Sequence, residues 1–298
     1  MRIAVIGHPC IDLIHRNEEI TQSYGGIIYS LIGLLIIANK QDEIHPIFQI
    51  NEELFRKYFE ILKSYPQIKL DLVENSNSPM NIIHLFFEGE NLNLECYQST
   101  AQKINVAHLV NKIPADSNFL INMISGFEID INDLTFIRKN FTGKIYFDFH
   151  TLTRGINEEG RRIYRPLENW REWVSLCDGI QLNEIERENL TEEKLSETEF
   201  ANEAIKSGAK IVNITKGPKG ATAYYKENSS LKSITIEPDK NLIFRSNVGC
   251  GDIFGAVFSY NYFRNEKIET CLQEAVRISS KRIEVEKIED IIEHFHSK

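Results

Sequence analysis

A net charge of -9 on 298 residues, with no long run of basic residues, argues against a nucleic-acid partner, because binding to a phosphate backbone requires a clustered cationic face. The composition, 42% hydrophobic and 26% charged, is that of a soluble globular protein with one large or two ordinary domains. The five scattered cysteines lack metal or redox spacing, and no signal peptide or membrane span is indicated. Together these features predict a cytoplasmic protein with reduced thiols and no membrane partner.

The first predicted element is a strand over residues 3–7, a continuously apolar run that ends in glycine and is typical of a buried parallel strand. Asp12 follows where the chain is expected to leave that strand. Open α/β sheets bind ligands at the carboxyl ends of their strands, so Asp12 is a candidate to hydrogen-bond a polyhydroxylated substrate. The alternative is an acid on a surface loop.

A double glycine, Gly25-Gly26, directly follows Tyr24 and precedes an apolar run that predicts a buried helix over residues 27–39. Two glycines at a helix start allow a ligand to approach the backbone closely, although a plain turn and cap would also use them. A strand is expected next at 44–50, followed by an amphipathic surface helix at 52–65.

Residues 81–97 change this pattern. Two strand-like arms joined by Glu88-Gly89-Glu90-Asn91 predict a β-hairpin, and its second arm alternates apolar and polar residues. A hairpin inserted into a βα chain is expected to stand off the main sheet. We therefore expect an inserted hairpin at about 81–98 that covers the substrate as a lid or forms the contact of a homodimer; a plain edge hairpin is the alternative.

After Pro114 the alternation of strands and helices returns. A loop with a short helix is expected over 151–173, where most of the five arginines should be solvated or paired with Glu158, Glu159, Glu168 and Glu172. The remaining predicted elements are strands at 118–124, 144–149, 179–182, 210–214 and 221–225, helices at 133–140 and 199–207, an antiparallel sheet edge at 233–238 and 242–244, and a helical tail at 270–295.

The segment from Arg245 to Asp252 contains Gly249-Cys250-Gly251 and leads into apolar residues at helical spacing. Glycines one residue apart allow backbone N-H groups to converge, and a helix N-terminus adds unpaired donors, so phosphate fits here. A phosphate would repel a carboxylate beside such a site. One function that would explain Asp252 there is to accept the proton of a hydroxyl that attacks phosphorus. A tight turn with Asp252 as a helix cap explains the same residues about as well.

Five motifs in chain order resemble those of the ribokinase-like PfkB carbohydrate kinase family, and each lies at a predicted strand end or helix start. The likeness extends from residue 3 to about 283. The matching residues are the N-terminal strand with Gly7 and Asp12, the double glycine Gly25-Gly26, the N-x-x-E pair Asn183 and Glu186, the loop Thr215-x-Gly217-x-x-Gly220, and the signature Gly249-Cys250-Gly251-Asp252.

The resemblance implies a three-layer α/β fold, with a central, mostly parallel sheet flanked by helices, in one kinase domain over residues 1–298. It also implies transfer of the γ-phosphoryl group of ATP to an alcohol of a small sugar or sugar-like substrate. In this family pattern Asp252 takes the hydroxyl proton, while the backbone N-H groups of Gly249, Cys250 and Gly251 stabilise the transferring phosphoryl group. A base at a helix N-terminus is expected to stay ionised at neutral pH.

The same resemblance assigns the other motifs to ligands. Asn183 and Glu186 would organise Mg²⁺ through water, since this ion keeps much of its hydration shell. The remaining assignments are Thr215, Gly217 and Gly220 to the nucleotide, and Asp12, Gly25, Gly26 and Ser30 to substrate hydroxyls beneath the hairpin.

Several positions depart from the family pattern. Ser246 and Val248 replace the usual Asp-x-Thr, which weakens the expectation of a monovalent-cation site, and Ser30 stands where asparagine is usual. The helix expected beside adenine is unusually polar over 278–282. These departures keep two alternatives open, a nucleoside kinase of the same family and a catalytically weak sugar- or nucleotide-binding regulatory protein. A dinucleotide-dependent enzyme is poorly supported, because the first strand is not followed by G-x-G-x-x-G.

Overall fold

The computed structural model describes residues 1–89 and 91–296. Strands dominate the N-terminal part of the chain and alternate with helices in the rest. In chain order the strands are β1 Arg2–Ile6, β2 Pro9–Arg16, β3 Glu19–Gly26, β4 Glu43–Ile50, β5 Val73–Asn75, β6 Asn81–Glu88, β7 Asn91–Ser99, β8 Asn118–Asn122, β9 Ile145–Asp148, β10 Arg154–Ile156, β11 Arg162–Tyr164, β12 Gly179–Asn183, β13 Ile211–Thr215, β14 Ala221–Glu227 and β15 Ser230–Ile236. The α-helices are α1 Ile27–Ile37, α2 Glu52–Leu62, α3 Ile131–Asn140, α4 Trp170–Ser175, α5 Glu184–Asn189, α6 Glu197–Ser207, α7 Cys250–Phe263, α8 Ile268–Lys281 and α9 Ile291–His296.

The central sheet has nine strands in the order β15-β14-β13-β12-β9-β8-β1-β4-β5. From β13 to β5 every neighbouring pair is parallel, and β14 and β15 add the predicted antiparallel edge. Alternate residues of β1 enter different cores: Ile3 and Val5 pack with α1, α7 and α8, whereas Ala4 and Ile6 pack with α3, α4 and α6. The predicted three-layer architecture is therefore confirmed.

A separate four-stranded sheet, called here the small sheet, has the order β3-β2-β6-β7. Its β6–β7 half is the predicted hairpin, of which Glu90 lies outside the described residues. The other half was not predicted, because Asn17 and Glu18 form its two-residue turn at positive φ without the glycine that usually marks such turns. Asp12 consequently lies inside β2 and is buried, which rules out the alternative of an acid on a surface loop, and Gly25-Gly26 end β3.

The segment after β9 also differs from the prediction of a loop. Strands β10 and β11 form an antiparallel hairpin that touches the small sheet, where Tyr97 N donates to Gly160 O at 2.7 Å. Two of its arginines are not paired as expected: Arg154 and Arg162 both contact Glu95 of β7, whereas Arg161 is exposed. Because the hairpin packs against β7, Arg154 and Arg162 meet this distant partner and not the acids nearby in sequence.

Two smaller expectations about the C-terminal part were wrong or incomplete. Residues 242–244 form no strand; instead Ile243 N donates to the Glu284 side chain at 3.2 Å. The helical tail is broken after Lys281 by short 3-10 turns before α9 begins. Within the described residues, no helix is both long and apolar enough to cross a membrane.

Candidate active site

The predicted motifs meet because four neighbouring parallel strands end side by side. Register pairs join Asn122 of β8 to Asp148 of β9, Asp148 to Gln181 of β12, and Asn183 to Thr215 of β13. The carboxyl edge of the sheet therefore presents a continuous row of polar side chains, in the place where open α/β sheets bind ligands.

Helix α7 begins at this edge and is capped by Gly249. This glycine has φ 81°, in the left-handed region, and a Cβ added to it would overlap the ring of Tyr29. Any other residue would be strained and would push Tyr29 away. Gly251, by contrast, has open space on its side-chain face, with only Gln181 Nε2 at 3.9 Å. The helix start therefore presents exposed backbone at Gly251 and a sterically fixed turn at Gly249.

Asp252 lies in the first turn of α7 and is held by a neutral side chain. Asn122 Nδ2 donates to Asp252 Oδ1 at 2.6 Å and to Ser30 Oγ at 2.8 Å. Burial raises the pKa of the Asp252 carboxyl above its usual range, while the charge of His150 and the Asn122 hydrogen bond act in the opposite direction. Asn122 and His150 were missed by the sequence analysis, since neither belongs to a recognisable motif.

Gln181 of β12 holds the glycine loop by hydrogen bonding. Its Nε2 donates to Gly251 O and to Asp148 Oδ2, both at 3.0 Å, and Tyr146 OH donates to its Oε1 at 3.2 Å. Asn213 in turn donates to Tyr146 OH at 2.7 Å. This buried chain of hydrogen bonds ties α7 to three strands of the central sheet and limits movement of the loop.

Asn183 and Glu186 form a capping box at the start of α5. Glu186 N donates to Asn183 Oδ1, and Asn183 N donates to Glu186 Oε2, each at 2.8 Å. The second oxygen of Glu186, Oε1, pairs with Arg154 Nη2. Because both oxygens have partners, a cation here fits contact through water and not a direct bond to Glu186. The described residues contain no group of three His, Cys, Asp or Glu side chains poised to hold a metal directly.

A polar cluster around Glu95 joins the small sheet to the β10–β11 hairpin. Glu95 Oε1 accepts from Arg162 Nε and Nη2 at 3.1 and 3.0 Å, and Glu95 Oε2 accepts from Arg154 Nη1 at 3.4 Å. Burial alone would raise the pKa of Glu95, but Arg162 and Arg154 hold it below the usual range. Since Arg154 also pairs with Glu186, it links the small sheet to the N-x-x-E motif.

Asp12 lies on β2 among groups that disfavour its charge. Burial raises its pKa to about 7, and the negative charges of Glu95 and Asp252 add to this, while a hydrogen bond from Cys10 Sγ at 3.2 Å opposes it. Gly25 lies directly against Asp12, and a Cβ there would collide with the carboxylate. Asp12, Gly25 and Asp252 are therefore brought into one region.

The loop after β13 is more open. Gly217 has φ 53°, and a Cβ added to it would meet nothing within 4 Å, whereas a Cβ on Gly220 would strike the backbone of Ile236. Lys216 Nζ is engaged by Glu197 Oε1 at 2.7 Å, so this lysine does not add an unpaired charge. Thr215 pairs in register with Asn183, which places the loop beside the N-x-x-E motif.

A buried cation lies behind the glycine loop. Arg282 is 1% exposed, its guanidinium stands 5.5 Å from the Tyr29 ring centroid, and it donates to Val285 O. Burial raises the pKa of Cys250 to about 12, with Arg282 opposing the shift. The segment before α7 is joined to the turn after α8 by hydrogen bonds from Arg245 N and Ser246 N to Ile283 O, at 2.7 and 3.1 Å. The polar stretch 278–282 thus contributes a buried charge near α7.

The chain is similar to known kinases in part of its sequence and in its fold. A protein-family model, pfkB family carbohydrate kinase, matches residues 161–292, and no curated protein sequence matches significantly. A sulfate complex of a pyrophosphate-dependent kinase in the ribokinase family has TM-score 0.80 at 18% identity, covering 98% of this chain and 99% of that one. Arabidopsis thaliana ribokinase with ribose and ATP has TM-score 0.70 at 16% identity, covering 98% and 97%. Aminoimidazole riboside kinase from Salmonella enterica has TM-score 0.71 at 11% identity, covering 100% and 99%.

The nine-stranded sheet between two helical layers, with a glycine-capped helix at its carboxyl edge, defines a ribokinase-like α/β protein. The matched family model adds sequence support to this fold over the C-terminal part of the chain. The resemblance drawn from the motifs is confirmed: the chain resembles the ribokinase-like PfkB carbohydrate kinases in its fold and, over residues 161–292, in its sequence.

Proposed function

We propose that the protein is a kinase that transfers a phosphoryl group from ATP to a hydroxyl of a small sugar or sugar-like substrate. The observation that carries this proposal is Asp252 in the first turn of α7, hydrogen-bonded to Asn122 at 2.6 Å and adjoining the glycine cap at Gly249. A carboxylate next to an anion-binding helix start has little use in a purely structural turn, whereas a phosphotransferase requires both.

In this proposal the acceptor hydroxyl gives its proton to the Asp252 carboxylate as its oxygen forms the new bond to phosphorus. The bond between that phosphorus and the donor's bridging oxygen breaks, and the donor leaves as ADP. The raised pKa of Asp252 supports a base with real proton affinity. Backbone N-H groups of Gly249, Cys250 and Gly251 would stabilise the negative charge on the transferring group.

The acceptor would lie between Asp252 and the small sheet, where Asp12 accepts hydrogen bonds from its hydroxyls. Gly25 leaves room for the Asp12 carboxylate, and Ser30 accepts a hydrogen bond from Asn122, which also holds Asp252. Gly26 and Ser30 would complete the same wall. The small sheet would then act as the lid that excludes water from the reaction.

The donor would lie along Thr215, Gly217 and Gly220, beside the glycine loop. Mg²⁺ would be held through water near Asn183 and Glu186, where it would offset the charge of the donor phosphates. The exposed, side-chain-free face of Gly217 supports close approach of a phosphate to the backbone.

Pyrophosphate is a second candidate donor, favoured by the way Arg245 and Ser246 are hydrogen-bonded to the turn next to Arg282. Hydrogen bonds from Arg245 and Ser246 to Ile283 lie directly after residues 278–282, the stretch that the family resemblance places beside adenine. A pyrophosphate-dependent kinase is also among the most similar structures. A donor without a base would need only the anion-binding part of the site.

The proposal is tested by measuring phosphoryl transfer from ATP and from pyrophosphate, each with Mg²⁺, to ribose, myo-inositol and aminoimidazole riboside. Product should form with at least one pair of donor and acceptor in the wild type and should be lost in Asp252→Asn. Nucleotide or acceptor binding without turnover for any pair would instead favour a regulatory binding protein.

We also propose a homodimer through the outer part of the small sheet. Ile20 at its distal end is 64% exposed, and Leu92 of β7 is exposed as well. Sedimentation should show a dimer that Ile20→Lys shifts toward monomer, and a wild-type monomer at all concentrations would contradict the proposal.

A further inference from the structure

Glu95 lies on the inner face of the small sheet, the face that also carries Asp12. Asp12 pairs with Ile83, and Ile83 pairs with Tyr97, two residues from Glu95 in β7. Because side chains alternate between faces along a strand, Glu95 and Asp12 point to the same side of the sheet. Their charges act on each other, and Asp252 acts on Asp12 as well. Glu95 therefore belongs to the wall of the proposed acceptor pocket.

Two arginines from the β10–β11 hairpin occupy the two oxygens of Glu95. Arg162 binds Oε1 with both Nε and Nη2, and Arg154 approaches Oε2 at 3.4 Å while also pairing with Glu186. The side chains of Glu95 and Arg154 retain 14% and 19% exposure, so the cluster is not sealed in the core.

The charges of this cluster balance. Two guanidinium groups, of Arg154 and Arg162, face two carboxylates, of Glu95 and Glu186. An acceptor carrying its own carboxylate or phosphate would have to displace Glu95 to reach the arginines. Failing that, its charge would lie close to Asp12 without a partner, which is costly at a buried site. A polyhydroxylated acceptor without charge meets no such penalty.

We propose that Glu95 determines acceptor specificity: by neutralising Arg154 and Arg162, it makes the pocket select uncharged polyhydroxylated acceptors and reject those that bear a carboxylate or phosphate. This inference rests on the proposed kinase function and names the substrate class of the same site. Removing the charge of Glu95 leaves an excess of one positive charge in the pocket wall, whereas removing Arg162 leaves an excess of one negative charge.

The experiment compares paired acceptors, such as ribose with ribose 5-phosphate and glucose with glucuronate, as ratios of kcat/KM for the uncharged over the anionic member. Glu95→Gln keeps the shape of the side chain and should lower this ratio by at least about 10-fold. Arg162→Gln should raise it. The control, Glu88→Gln, removes one negative charge from the exposed end of β6 and should leave the ratio unchanged.

Opposite shifts in the two variants separate a role in specificity from a structural one. A purely structural role would lower kcat/KM for both acceptors alike and leave the ratio at its wild-type value, which would overturn the proposal. If Glu95→Gln does not fold, Arg162→Gln alone tests the proposal: a raised ratio supports it, and an unchanged ratio overturns it.

Calorimetric binding of the same acceptor pairs gives the selectivity without phosphoryl transfer. Absence of turnover in the wild type would overturn the kinase proposal alone. An unchanged binding preference in Glu95→Gln would overturn the role of Glu95 whether or not the protein is a kinase.

Discussion

The carboxyl edge of the central sheet and the inner face of the small sheet hold their polar groups by different means. At the edge, Asp252 is positioned by a hydrogen bond from the neutral side chain of Asn122, and the glycine loop is held by Gln181. On the small sheet, Glu95 is held by ion pairs with Arg154 and Arg162, which come from another part of the chain. One region is fixed by packing and neutral donors, the other by balanced charge.

This difference suggests a division of labour. A base must keep a usable pKa, and a neutral donor such as Asn122 orients the Asp252 carboxylate with less effect on its proton affinity than a paired cation would have. A substrate wall must recognise or reject charge, and ion pairs set that preference directly. Changes at the edge should therefore affect turnover and packing, while changes on the small sheet should affect selectivity and pH dependence.

The largest expected effect is at the proposed base. Asp252→Asn keeps the shape and the neighbourhood of Asn122 but cannot accept the hydroxyl proton, so turnover should fall by about 10²–10⁴-fold. KM for the acceptor should change little, and the thermal midpoint should not fall. Steady-state kinetics and thermal denaturation check both. Turnover within a few fold of wild type would remove Asp252 from the mechanism.

The next effect is steric. Gly249→Ala places a side chain at φ 81° and against Tyr29, and should lower the free energy of unfolding by roughly 2–4 kcal/mol, with loss of activity. The matched control is Gly251→Ala, whose side chain enters open space and should cost less than about 1 kcal/mol. Urea denaturation measures both. Equal costs would show that the left-handed cap is not what fixes the loop.

A pH effect is expected from the small sheet. The pKa of Asp12 is about 7 in the folded protein against an ordinary value of 3.8, so between these values the folded state holds a proton that the unfolded chain has lost. The resulting stability is fully present below about pH 4. It is lost as pH rises through 7, by at most about 1.4 kcal/mol per pH unit.

Asp12→Asn removes this contribution. The difference in free energy of unfolding between wild type and variant, followed from pH 4 to 8, should therefore show the Asp12 titration. Parallel pH curves for the two proteins would mean that burial does not raise the pKa of Asp12.

The smallest effect is predicted for Cys250. Its role in the proposal belongs to the backbone N-H, so Cys250→Ala should keep turnover within roughly threefold and stability within about 1 kcal/mol of wild type. A large loss of turnover would show that the thiol itself takes part. The carboxyl edge would then depend on more than packing and neutral hydrogen-bond donors.

Local patterns were sufficient for much of the fold. Continuous apolar runs predicted the buried parallel strands, since such strands are covered on both faces, and the glycine loop predicted the start of α7. They failed for β2 and β3, whose turn at Asn17 and Glu18 lacks glycine, and for β10 and β11, which are only three residues long. Strands whose turn lacks glycine, and strands of only three residues, carry too little local information to be recognised.

The sequence by itself determined the class of fold and the motifs that contain Asp252, Asn183, Glu186 and Asp12, because glycine, amide and carboxylate spacing is a local property. Only the tertiary structure decided which side chains complete the site. Asn122, Gln181 and Glu95 come from separate strands, and Arg154 and Arg162 from a hairpin distant from Glu95 in the chain. Partners of this kind are chosen by burial and sheet register, which bring together residues that no local spacing relates.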